Sequence, residues 1–163
     1  MINQISYYPN TNYNYARQPV QQQACALPQG QRNYCLFDKN KVDYFVSQKE
    51  AALPYLTSVL QTSNDEAQVT ETLYIMDRML ENGTKGIDKL YPVFSRFNQT
   101  DSPNIQTFLA GIYRKIQVPD AFGPLWAMLI RNSQKPVNPS QPFDPNEEIG
   151  GAILSYMSDR FRG

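Results

Sequence analysis

The chain has no histidine among its 163 residues and only two cysteines. Histidine is the commonest general base near neutral pH and the commonest metal ligand, so its absence removes a central residue of triad hydrolases, Cys-His proteases and zinc hydrolases. The two cysteines, Cys25 and Cys35, fit neither a disulfide-rich scaffold nor C-x-x-C spacing. We therefore predict free thiols, no catalytic residue, no metal site and no cofactor.

Net charge and long apolar runs are also missing. The 15 Lys and Arg residues balance the 15 Asp and Glu residues, which argues against a protein that binds mainly by neutralising phosphates. No segment approaches the roughly 20 apolar residues that a membrane-spanning helix needs, and the N-terminus lacks the apolar core of a signal peptide. We expect a cytoplasmic protein that binds neither membrane nor nucleic acid.

The first 37 residues differ in composition from the rest of the chain. All 15 acidic residues lie at or after Asp38, whereas the preceding segment is rich in Asn, Gln and Tyr and carries only Arg17 and Arg32 as charges. It has too few aliphatic side chains to offset the entropy of ordering. We predict a disordered or draped arm over residues 1–37 and one helical domain over 38–163. An arm that docks on a partner or on a neighbouring copy is the functional alternative.

Amphipathic segments with helical spacing recur after Asp38. They form three successive pairs, which are 48–61 with 66–83, 87–99 with 101–116, and 121–132 with 144–161. Two boundaries carry local signals, because Ser102 before Pro103 is a suitable N-cap and Asn82-Gly83 is a typical C-terminal stop. The pattern predicts an all-α fold of about three helical hairpins.

Prolines at 54, 92 and 124 stand within the first turns of the three first helices, 38 and 32 residues apart (54 to 92, and 92 to 124). A period in the thirties with two helices per unit is typical of an α-solenoid. Together with the acidic turns before the aliphatic anchors of the second helices, these residues resemble the HEAT-repeat family over roughly 48–161. The resemblance implies a short right-handed α-solenoid. An ordinary six-helix bundle is the alternative.

In HEAT-like proteins the second helices line a concave face where partners usually bind. Superposing the first two units on their anchors, Val69 and Ile105, places Arg78 beside Arg114. Such a pair could form a basic, aromatic surface for a carboxylate, a phosphate or an acidic peptide. The candidate partner-binding residues are Tyr74, Arg78, Tyr113, Arg114 and Lys115. The alternative is that the cations only complement the helix macrodipole and pair with Glu71, Asp77 or Glu81.

Trp126 lies among Phe122, Leu125, Leu129 and Ile130 at helical spacing. We expect it to pack in the core or between hairpins. The alternative is an aromatic wall of a ligand groove, which would require Trp126 to lie on the exposed side of its helix.

The connection 133–146 has prolines at every third position, 136, 139, 142 and 145, which matches the three residues per turn of polyproline II. We expect a stiff strap that is anchored by Phe143 and ends in a helix start at Asp144-Pro145. A P-x-x-P ligand for an aromatic groove is the alternative.

These features predict a non-enzymatic adaptor or scaffold that presents a concave helical surface to a protein partner. The last helix, with Arg160 and Arg162, could meet a second copy of the chain. Two other classes stay open. One is a HEAT-like nucleic-acid-binding protein of the DNA glycosylase type, against which the neutral charge argues; the other is an accessory subunit of a larger enzyme.

Overall fold

The computed structural model describes residues 37–136, 139 and 144–162, and in the last helix it describes side chains only up to Ser158. The described residues form α-helices and short 3₁₀ turns and contain no strand, which confirms the all-α prediction. The helices are α1 (Lys39–Gln48), α2 (Leu53–Thr62), α3 (Glu66–Glu81), α4 (Tyr91–Phe94), α5 (Pro103–Ile116), α6 (Phe122–Ser133) and α7 (Pro145–Arg162). The 3₁₀ turns are Lys49–Ala52, Ile87–Leu90, Ser95–Phe97 and Pro119–Ala121.

Some of the predictions fall outside the described residues. They concern the arm up to residue 36, both cysteines, Phe143 of the proline-rich connection, and the side chains of Arg160 and Arg162. Phe37, which the sequence assigned to the arm, is described and buried. Its ring stacks on that of Tyr74 with the centroids 4.8 Å apart.

The starts of three helices follow from their capping residues. The Asp65 carboxylate accepts from the Ala67 N–H at 3.0 Å, at the start of α3. The Ser102 hydroxyl accepts from the Ile105 N–H at 3.3 Å, and Pro103 occupies the first position of α5, as predicted. Asp144 accepts from the Asn146 N–H at 3.0 Å, which confirms the predicted helix start there. Each cap satisfies one N–H that the first helical turn leaves without a partner.

The end of α3 is a Schellman motif, which confirms the predicted stop at Asn82-Gly83. The Thr84 N–H donates to the Met79 carbonyl at 3.0 Å, and the Gly83 N–H donates to the Leu80 carbonyl at 3.1 Å. Gly83 has a φ of +83°, a left-handed conformation that residues with a Cβ adopt only at a cost.

The chain divides into two compact units, with the boundary between Thr84 and Lys85, where the sequence suggested one helical domain. In the first unit, α1 and α2 both pack on α3. The buried part of α3 is continuous from Val69 to Asp77, so every face of these turns is covered. The sequence predicted a single apolar stripe here. The covered faces also include polar side chains, namely Thr70, Glu71, Thr72 and Asp77.

A buried ion pair joins α1 to α3. Lys41 donates to the Glu71 carboxylate, and both side chains are 1% exposed. Removing two charges from water costs several kcal/mol, which the pair recovers only while both partners are present. Val42 and Phe45 of α1 are buried on the same helix. The orientation of α1 is therefore tied to one position on α3.

In the second unit, α7 packs on both α5 and α6. The buried part of α5 is again continuous, from Ile105 to Tyr113. The predicted helix over 87–99 is not continuous, since α4 is a single turn between two 3₁₀ turns. Pro92 supplies no N–H to an ongoing helix, and the Ser95 hydroxyl donates to the Pro92 carbonyl at 2.8 Å. Both features favour a short turn over a long helix.

Replacing Lys41 by Met should destabilise the protein strongly, because Glu71 would then be buried without its cation. We expect the free energy of unfolding to fall by about 3–5 kcal/mol in the single variant. In the double variant Lys41→Met, Glu71→Leu, most of that loss should be restored. Urea unfolding followed by circular dichroism measures both. Equal midpoints for the single and double variants would show that the pair does not hold α1.

Two glycines should respond differently to alanine. Apart from the flanking residues and the backbone of the same helix, no heavy atom lies within 4 Å of a Cβ placed on Gly83 or on Gly123. Gly83→Ala is expected to cost about 1 kcal/mol because of its positive φ. Gly123→Ala, in the first turn of α6, should change the free energy of unfolding little, because crowding between the new Cβ and the ring of Pro124 offsets the gain in helix propensity. Thermal unfolding of the two variants checks this, and equal shifts in Tm would contradict the Schellman assignment.

Candidate functional site

The two tyrosines of the predicted partner surface lie in the interior. Tyr74 is stacked on Phe37 and is 1% exposed. Tyr113 has no exposed surface, and its hydroxyl donates to the Asn98 side-chain oxygen at 2.5 Å. The prediction that these rings form part of a contact surface is therefore corrected. Both rings are packed inside the fold.

The three predicted cations lie at helix ends. Arg78, in the last turn of α3, is partly buried and bonds to Glu81 one turn further on, as the alternative interpretation anticipated. Arg114 and Lys115, in the last turn of α5, are exposed. Arg78 belongs to the first unit and Arg114 to the second, so their pairing across one surface stays a prediction.

Arg114 lies against the N-terminal part of α7. Its Nη1 is 3.9 Å from the Glu148 carboxylate and would lie 3.2 Å from a Cβ placed on Gly151. The absence of a side chain at Gly151 therefore makes room for the guanidinium, as expected for a glycine at a close approach. Gly150 has open space instead.

The second unit exposes two large apolar side chains on one face of α6. Trp126 is 40% exposed and Ile130, one turn later, is 56% exposed. We refer to these two residues as the α6 ridge. The predicted packing role of Trp126 in the core is therefore wrong. The core side of α6 is formed by Leu125 and Met128, which are fully buried.

One edge of the ridge is continuous with the core. The ring of Phe122, one turn before Trp126, meets the indole edge-to-face with the centroids 6.5 Å apart. On its other side Phe122 stacks on Tyr156 at 5.7 Å. The indole thus rests on a packed aromatic base while 40% of its surface faces solvent.

A polar network sets the rotation of α6 about its axis. Asn132 and Gln106 form a reciprocal amide pair with bonds of 2.7 and 3.3 Å. Asn132 also donates to the side chain of Asn146 in α7 at 2.9 Å. The guanidinium of Arg131 donates to the Asn98 carbonyl at 3.1 Å. Since all these partners lie on the inner side of α6, Trp126 and Ile130 are directed outwards.

The residues of α6 beside the ridge are small and uncharged. Gly123 is exposed with open space around it, and Ala127 is partly exposed. No charged residue occurs from Phe122 to Ile130. The following cation, Arg131, is engaged with backbone carbonyls inside the unit. This face of α6 can therefore contribute burial of apolar surface and close backbone approach, but no ionic contact.

Tyr156 of α7 contacts the backbone at the C-terminal end of α5. The Tyr156 hydroxyl lies 2.9 Å from the carbonyl oxygens of both Tyr113 and Val118, to which it can donate. Burial raises the pKa of Tyr113, and the nearby Tyr91 and Tyr156 add to the rise. Burial, with a contribution from Tyr91, likewise raises the pKa of Tyr156.

No protein-family model, curated protein or solved structure matches the chain. Within the described residues, no helix is long and apolar enough to cross a membrane. The same part of the chain has no cluster of three or more acidic or cysteine side chains that could hold a metal ion.

Alkaline solution should destabilise the protein through these tyrosines. In the unfolded chain a tyrosine loses its proton near pH 10, whereas Tyr113 and Tyr156 keep theirs in the fold. The unfolded state then binds fewer protons, so the free energy of unfolding falls as the pH rises above about 10. Urea unfolding between pH 9 and 11 measures the slope. Tyr113→Phe should flatten it, and an unchanged slope would exclude Tyr113 as a cause.

Proposed function

We propose that this chain is a non-enzymatic protein-interaction module, an adaptor or scaffold that binds a protein partner through an exposed helix face. The observation that carries the proposal is the α6 ridge, with Trp126 at 40% and Ile130 at 56% exposure. Tryptophan is enriched among the residues that dominate binding energy at protein interfaces.

The exposure of the ridge does not arise because the second unit has more apolar side chains than its core can bury. The same unit buries polar side chains, among them Gln106 and Thr107, while it leaves Trp126 in solvent. Burial of a large apolar side chain contributes about 1.5–3 kcal/mol, which the second unit gives up at this position. The polar contacts of Arg131 and Asn132 hold the indole outwards at that cost, and this supports a role for Trp126 in a contact with another molecule.

The HEAT-like interpretation belongs to the same proposal. Pro54, Pro92 and Pro124 each lie within the first turn of a helix, in α2, α4 and α6, although α4 is a single turn and not the long first helix of a hairpin. In such a scaffold the exposed Arg114 and Lys115 at the end of α5 would offer a second contact, to an acidic group on the partner.

Trp126→Ala should weaken the capture of a specific partner by at least about tenfold, which corresponds to the loss of one strong contact residue. The partner is identified by affinity capture from the cells that produce the protein, with quantitative mass spectrometry. Leu154→Ala is the matched control, because Leu154 is another exposed apolar residue of the second unit, at 67%.

The control should retain the partner, and circular dichroism should show that both variants are folded at the temperature of the capture experiment. If every captured protein is held equally by wild type, Trp126→Ala and Leu154→Ala, the proposed function is wrong.

A further inference from the structure

We infer that α6 acts as a helical ligand, and that an apolar, uncharged groove on a different protein encloses the α6 ridge. The inference rests on the proposed function, to which it adds the shape and chemistry of the partner. Three observations carry it: the spacing of the exposed side chains, the area that they offer, and the charge of the surface around them.

The spacing is that of a helix seated in a groove. Trp126 and Ile130 lie four residues apart, so they project from one side of α6 about one turn from each other. Grooves that bind a helix contact side chains at this spacing along it. The positions beside these two side chains are occupied by small residues, Gly123 and Ala127, where a groove wall can approach the backbone.

The convex shape of the ridge argues against a second copy of this chain as the occupant. At 40% and 56% exposure the two side chains offer roughly 200 Å² together. A specific protein–protein interface buries about 800 Å² on each partner, so any occupant must also cover the surface beside the ridge. Two convex ridges laid against each other would touch only along a line. A concave partner, by contrast, covers both the ridge and its shoulders.

The absence of charge on this face of α6 indicates which side chains should line the groove. The sequence from Phe122 to Ile130 contains no charged residue. Arg131 donates to the carbonyls of Asn98 and Thr100 within its own unit. Lys135, beyond the end of α6, is bonded to Asp101 at 2.8 Å. A charged groove would find no counter-ion on α6 between Phe122 and Ile130, so apolar side chains are the complementary lining for the ridge itself.

The test is photo-cross-linking of the full chain in the cells that produce it. The photoreactive amino acid p-benzoylphenylalanine replaces Ser133, an exposed residue next to the ridge, or Lys115, an exposed residue at the end of α5. From position 133 we expect one adduct with another protein, with the modified residue in an apolar groove. Gly123→Arg should lower its yield at least tenfold by filling the shoulder, and Gly123→Ala should lower it little.

The Gly123 variants are suited to this test because the space around the position is open, and circular dichroism verifies their fold. A position-133 adduct with a second copy, or one that is insensitive to Gly123→Arg, overturns the groove while the proposed function stands. A protein adduct that forms from position 115 and not from position 133 likewise overturns the groove and leaves the proposed function standing. The absence of protein adducts from both positions overturns the groove and the proposed function together.

Discussion

The amide pair between Gln106 and Asn132 determines which side of α6 faces solvent. Gln106 is 1% exposed, and an unsatisfied buried amide costs about 1–3 kcal/mol. Turning α6 by one residue, about 100°, would separate this pair and also detach Arg131 from its carbonyl partners. The same rotation would expose Leu125 and Met128 in exchange for Trp126 and Ile130. Since two large apolar side chains would replace two others in the interior, the gain in apolar burial would be small, and the polar contacts decide the orientation.

The first unit uses one charge pair for a comparable purpose. Lys41 can lie in the interior only opposite Glu71, because a buried ammonium without its carboxylate is costly. An apolar pair of similar volume would hold α1 on α3 equally well, yet it would allow other registers along α3. We interpret the ion pair as a device that selects one register, at some expense in stability.

The features that the sequence predicted are those whose cause is local. Ser102, Asp144 and the Asn82-Gly83 pair act on the N–H or carbonyl groups of the adjacent turn, so a window of a few residues contains the whole interaction. The all-α class follows from the same local patterns. Trp126 was misplaced because α6 carries apolar residues around its whole circumference. The buried side is selected by polar contacts from distant parts of the sequence, among them that with Gln106, 26 residues away. Tyr74 and Tyr113 were misplaced likewise, since nothing near them in sequence shows that α3 and α5 are covered on all faces.

The magnitude of the ridge limits the kind of contact that it can make. About 200 Å² of apolar surface at about 25 cal/mol per Å² yields roughly 5 kcal/mol, which lies near the lower bound of the 4–15 kcal/mol lost in association. Trp126 and Ile130 alone would therefore bind weakly. A useful affinity requires contacts beyond the two anchors, and the nearest uncovered surface is the shoulder at Gly123 and Ala127. Small residues at these positions allow a groove wall to meet the α6 backbone itself, so the absence of side chains beside the ridge is as much a part of the site as the indole.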